Sequence, residues 1–172
     1  MRTIITSLVL LTGVTAASAQ QHQGQHHTPY AGQQQRDVKA LSEQQIADLR
    51  AGRGMGLALA AELNGYPGPI HVLELADELQ LSGDQRQQVQ RLFDSMKGEA
   101  TSVGASLIEQ ETALDRAFAA DHISGAALSQ LTSQIGETQG RLRAVHLKYH
   151  LTTRALLSPA QRERYASLRG YR

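Results

Sequence analysis

Residues 82–157 read SGDQRQQVQRLFDSMKGEATSVGASLIEQETALDRAFAADHISGAALSQLTSQIGETQGRLRAVHLKYHLTTRALL, and their periodicity decides the fold. Apolar or small residues recur at Val89, Phe93, Met96, Ala100, Val103, Leu107, Leu114 and Ala117, in alternating steps of four and three with one polar interruption at Gln110. The second half repeats the pattern through Leu128, Leu131, Ile135, Thr138, Leu142, Val145, Tyr149, Thr152 and Leu156. Such spacing lines up one narrow seam along a helix. Between the halves, Asp121-His122-Ile123-Ser124-Gly125 breaks the pattern, and Ser124 suits the cap of a new helix. The reading is two helices, 83–120 and 125–157, folded back as an antiparallel pair. At 1.5 Å per residue each is roughly 50–55 Å long.

The hairpin is bracketed by one short phrase. Leu81-Ser82-Gly83-Asp84-Gln85 opens it, and Leu157-Ser158-Pro159-Ala160-Gln161 follows it. In each, serine suits the N-cap and glutamine at N3 can reach back to complete a capping box. Pro159 falls at N1, where its missing N–H costs nothing. A looser copy, Leu41-Ser42-Glu43-Gln44-Gln45, starts an earlier helix. The motif positions are therefore Leu81, Ser82, Gln85, Leu157, Ser158 and Gln161.

Over about residues 70–170, this paired L-[ST]-x-x-Q phrase resembles the Spy/CpxP (LTxxQ-motif) family of periplasmic stress proteins, whose relatives include ZraP and the CnrX-type heavy-metal sensors. The resemblance implies an all-α, cradle-like and often dimeric protein without nucleotide or covalent chemistry. It also implies one of three roles: an ATP-independent chaperone, an adaptor that restrains an envelope stress response, or a metal sensor. CnrX-type sensors carry H-x-x-x-H before the first motif; here His71 matches, but Leu75 stands at the second position. Their later H-x-x-x-M falls near Tyr149 and Thr153, with a histidine pair about one turn earlier in this chain. The family metal site is thus not carried over intact.

The remainder of the 172-residue chain fits one domain with an extended core. Residues 1–19 read as a signal peptide, with Arg2, a short apolar run from Ile4 to Val14, and a small-residue cleavage site ending at Ala19. Export to the periplasm with cleavage after Ala19 is the expectation. The absence of cysteine excludes disulfides, thiolate metal sites and a cysteine nucleophile. Loss of residues 1–19 removes one arginine and no acid, leaving balanced charge and no support for nucleic-acid binding. Arg141, Arg143, Lys148 and Arg154 enrich the second hairpin helix, as a solvated face or as a basic wall for acidic clients.

Residues 20–36 are Gln-rich, carry His22, His26 and His27, and read as a disordered linker able to hold metal loosely. The helical domain spans 37–172. Leu41–Leu63 reads as one helix, weakened by Gly52, Gly54 and Gly56 and ended by Asn64-Gly65-Tyr66-Pro67-Gly68-Pro69. A short helix over 70–79 and a last one after Pro159, anchored by Tyr165 and Leu168, complete the chain.

His146 and His150, at i and i+4, share a helix face at a spacing that lets two imidazoles hold one metal. Pairing Ala117 with Leu128, Leu107 with Thr138 and Phe93 with Thr152 sets His146 opposite Glu99, and His150 between Ser95 and Met96. With His71 these residues form a candidate site for Zn, Ni or Co, better suited to such ions than to Mg or Ca. The same histidines also read as seam residues beside Val145 and Tyr149. No G-x-S-x-G elbow is present and carboxylates are scattered, so no enzyme is expected.

The leading expectation is a periplasmic chaperone or stress adaptor, a homodimer meeting partly unfolded proteins or a membrane sensor or anti-sigma protein, without spanning the membrane. Heavy-metal sensing or buffering is the alternative, and a structural envelope protein without ligand the third.

Overall fold

The serine caps and the seam set the helix boundaries. The structure is a computed structural model that describes residues 30–171. Residues 1–19, read from the sequence as a signal peptide, and His22, His26 and His27 lie outside the described residues. The chain divides into a unit spanning 1–31 and one spanning 32–172, and every helix among the described residues belongs to the second. The described residues are helical without strands: α1 (Glu43–Arg50), α2 (Leu59–Glu62), α3 (Pro69–Glu74), α4 (Gly83–Ala119), α5 (Gly125–Leu156) and α6 (Pro159–Leu168). A single 3-10 turn, Gln33–Gln35, lies at the end of the Gln-rich stretch.

α4 and α5 pack against each other as the hairpin and dominate the contacts of the fold. Ser82 caps α4, accepting from the Gln85 backbone at 3.1 Å, while the Gln85 side chain accepts from the Ser82 backbone at 3.1 Å. Ser158 and Gln161 form the same box on α6, and Ser42 and Gln45 form it on α1. The two bracketing glutamines also meet. Gln85 Nε2 donates to the Leu156 carbonyl at 2.8 Å and to Gln161 Oε1 at 3.0 Å. Gln161 Nε2 reciprocates to Gln85 Oε1 at 3.1 Å and reaches the Leu79 carbonyl at 3.3 Å. The repeated phrase therefore starts two helices and joins their starts across the open end of the hairpin.

Two apolar clusters follow. One runs along the hairpin through Met96, Ala100, Leu107, Ile135, Leu142, Val145 and Tyr149, covered by Val38, Leu41 and Leu49. The other gathers Val72, Leu79, Val89, Leu157 and Tyr165 at the open end. The first depends on Gly104: a Cβ there would lie 2.6 Å from the Leu49 carbonyl oxygen, so only glycine lets α1 come this close to α4.

The expected helix over Leu41–Leu63 is broken. α1 stops at Arg50, and α2 occupies only Leu59–Glu62. Gly52, Met55 and Gly56 take left-handed φ values of 66°, 43° and 78°, which a continuous right-handed helix cannot contain. Glycine is a poor helix former, but here it also supplies the turn that folds the chain back over α4 and α5. The short helix expected over 70–79 likewise ends at Glu74, with turns continuing to Gln80, whose φ is 52°.

Candidate metal centre

The broken segment, α3 and the hairpin enclose a cleft of about 400 Å3, walled by Gly54, Met55, Gly56, Leu59, Glu62, Gly68, Pro69 and Ile70 as well as His71, Met96, His146 and His150. Of the five ligand candidates in the sequence, the fold brings His71, Met96, His146 and His150 to this one place.

Each histidine is set by a different device. His150 is buried, and its Nδ1 donates to the Tyr66 carbonyl at 2.6 Å. A carbonyl only accepts, so the neutral ring carries its proton on Nδ1 and a lone pair on Nε2. Its Nε2 edge lies over Gly68, where a Cβ would come within 2.9 Å of the ring. His71 Nδ1 donates to Glu74 Oε2 at 2.9 Å, one turn further along α3, which again frees Nε2. Both arrangements are those in which a metal-binding imidazole is oriented by a carbonyl or carboxylate behind it. His146 is 2 % exposed, and its Nε2 is buried with no hydrogen-bond partner. Burial, and then the neighbouring His150, hold its pKa below the ordinary value, so the ring is neutral near pH 7. A neutral imidazole with an unmatched buried nitrogen is costly unless something pairs with it.

Glu99 is placed elsewhere. Its carboxylate accepts from Lys148 at 2.7 Å and from the Tyr149 hydroxyl at 2.6 Å. Lys148 and then Tyr149 lower its pKa, and it does not line the cleft. The sequence pairing set it opposite His146, two to three positions away on α5. Side chains lean toward the N-terminus of their own helix, so contacts across an antiparallel pair fall a couple of positions beyond the Cα pairing. The Glu99 tip thus meets Lys148 and Tyr149.

Sequence reasoning missed Met55 and Glu62. Met55 is the one residue in Gly54-Met55-Gly56 that has a side chain, which was the available signal. Glu62 is an acid among alanines and leucines, and it is buried. Its Oε2 accepts from the Gly68 backbone at 3.0 Å and stands 3.6 Å from His150 Nδ1. Its Oε1 accepts from the Tyr165 and Tyr171 hydroxyls, with Arg169 Nε at 3.9 Å. Among the described residues, no three or more His, Cys, Asp or Glu side chains are grouped so as to hold a metal ion. The histidines and Glu62 of the cleft therefore do not by themselves form such a group among the described residues.

A comparison with known families matches residues 57–164, more than half of the chain, to the heavy-metal resistance family (Metal_resist). The chain belongs to the heavy-metal resistance family. The match takes in α2 through most of α6 and the cleft lining from Ala58 onward, and leaves out Arg53, Gly54, Met55 and Gly56. No curated protein and no solved structure matches the chain. No helix among the described residues of this family member is long and apolar enough to cross a membrane.

Proposed function

We propose that the chain is an exported heavy-metal-binding protein that senses or buffers a transition-metal ion in the cleft of His71, His146, His150 and Met96. The observation that carries this reading is the buried, partnerless Nε2 of His146 beside two histidines whose Nδ1 atoms are already committed. These are imidazole nitrogens, two of them oriented by groups behind the ring, which suits Zn, Ni, Co or Cu. The role is binding rather than catalysis. Cleavage after Ala19 would place the mature chain in the periplasm, where such a sensor or buffer meets incoming metal.

Calorimetric titration of the mature chain with Zn(II) and Ni(II), and a Cu(I) titration under reducing conditions, test this reading. His146→Ala and His150→Ala should each weaken the tightest-bound of these ions by on the order of 100-fold, at or above the upper end of what losing a supporting partner costs. Deleting residues 20–36 should change it little. Affinity should fall on acidification, with His146 keeping its lone pair to a pH below the ordinary imidazole value, because protonated imidazole cannot coordinate. Loss of binding on deleting the tail, with His146→Ala unaffected, would move the metal to His22, His26 and His27.

A second reading, the chaperone or stress adaptor, is favoured by an apolar surface. Leu59, Leu63 and Leu151 are 55 %, 59 % and 60 % exposed, with Ala60, Leu147 and Leu151 lining one shallow groove. Exposed leucines of this kind suit partly unfolded clients or a second copy of the chain. On this reading the purified protein suppresses aggregation of an unfolded model substrate without ATP, and Leu63→Glu with Leu151→Glu abolishes the effect. No suppression at several-fold molar excess would remove it.

A further inference from the structure

Resting on the cleft reading above, we propose that the site is tuned to a soft monovalent cation, Cu(I) or Ag(I), held by the thioethers of Met55 and Met96 together with His146 and His150. Met1 apart, Met55 and Met96 are the only methionines in the chain, and both line this cleft. Met96 is buried and forms part of its floor. Met55 is the unusual one. It holds a left-handed φ of 43° that a residue with a Cβ adopts only at a cost, it is 41 % exposed, and it belongs to neither apolar cluster. Packing therefore does not account for a methionine at this strained position, whereas a thioether presented to the cleft does.

The rest of the lining points the same way. Glu62 is the one carboxylate among the lining residues, and its oxygens are taken by Gly68, Tyr165 and Tyr171. The remaining donors are neutral nitrogen and sulfur. Soft thioethers select Cu(I), whereas hard oxygen ligands favour Mg, Ca or Mn. The desolvation cost of an ion grows with the square of its charge, so a site of neutral donors walled by Leu59, Pro69 and Ile70 disfavours a divalent ion more than a monovalent one.

The test is competition of the mature chain against a chromogenic Cu(I) chelator under reducing conditions, beside Zn(II) and Ni(II) titrations. Met55→Leu and Met96→Leu conserve volume, and circular dichroism and melting check that each variant stays folded. Each should weaken Cu(I) by at least about tenfold and leave Zn(II) and Ni(II) affinities nearly unchanged. X-ray absorption of the copper-loaded parent protein should show sulfur neighbours, a readout that needs no variant. Cu(I) affinity unaffected by either methionine change, or a copper spectrum with nitrogen neighbours alone, would overturn the inference while His146→Ala sensitivity keeps the cleft reading. Metal binding insensitive to His146→Ala as well would overturn both.

Discussion

Replacing Glu62 by alanine is expected to lower the unfolding free energy by about 3–5 kcal/mol, the range for removing one partner of a buried charged group. The carboxylate joins three separate parts of the chain. It takes the Gly68 backbone N–H of the loop before α3, the hydroxyl of Tyr165 on α6, and the hydroxyl of Tyr171 near the C-terminus. Without it the Gly68 N–H and the buried Tyr165 hydroxyl lose their acceptor, at about 1–3 kcal/mol for each unsatisfied group. Tyr165 is 2 % exposed, and burial together with the bond to Glu62 pushes its pKa far above the ordinary phenol range. It therefore remains a donor at every pH at which the fold is usable. Tyr165→Phe keeps the ring packing and should cost only about 1–2 kcal/mol. Urea unfolding of the two variants separates the effects, and a loss below about 1 kcal/mol for Glu62→Ala would show that α6 is held by packing alone.

Gly104→Ala is the second large effect, expected to destabilise by about 2–3 kcal/mol through overpacking. Alanine is the better helix former by about 1 kcal/mol, so intrinsic propensity predicts the opposite sign. The deciding fact is the Leu49 carbonyl oxygen 2.6 Å from where the new Cβ would stand, with the Leu49 carbonyl carbon at 3.1 Å. These are backbone atoms of α1 and cannot rotate away, so α1 must lift off α4. Gly98, Gly136 and Gly140 supply the control. Gly98 lies inside α4 and the other two inside α5, a Cβ added at any of them would meet nothing within 4 Å, and alanine at each should stabilise by about 0.5–1 kcal/mol. Equal and favourable shifts at all four positions would mean that α1 does not dock as described.

The hairpin was legible because its evidence is periodic. A seam repeated over two long helices, with serine caps at fixed places, leaves few alternatives, and the observed ends fall within a residue or so of those read from Ser82, Ser124 and Ser158. The segment before it was not legible. Gly52, Gly54 and Gly56 announce weakness in a helix, but whether a glycine frays a helix or turns the chain depends on what it packs against. Here the Lys97 carbonyl of α4 lies 2.8 Å from where a Cβ on Gly52 would stand. The candidate site was half legible for the same reason. His146 and His150 share a face by helix geometry alone, and their companions His71 and Met96 were found. Met55 and the role of Glu62 depend on how the broken segment folds over the hairpin, which no local pattern encodes.

The clasp between the two glutamines also bears on the order in which the chain assembles. Gln85 and the Leu156 carbonyl are 71 residues apart, and Glu62 and Tyr165 are 103 apart. Closing a flexible loop of the first length costs about 4 kcal/mol in chain entropy beyond its constant part. One hydrogen bond cannot recover that. Pairing of α4 with α5 outward from residues 120–124 removes most of the cost, because each added turn brings the far ends nearer through short steps. The glutamines then meet across a gap already closed, and Tyr165 reaches Glu62 only after α6 has been started by Ser158. The cleft, built from the loop segment laid over this hairpin, is accordingly expected to form after the hairpin in refolding.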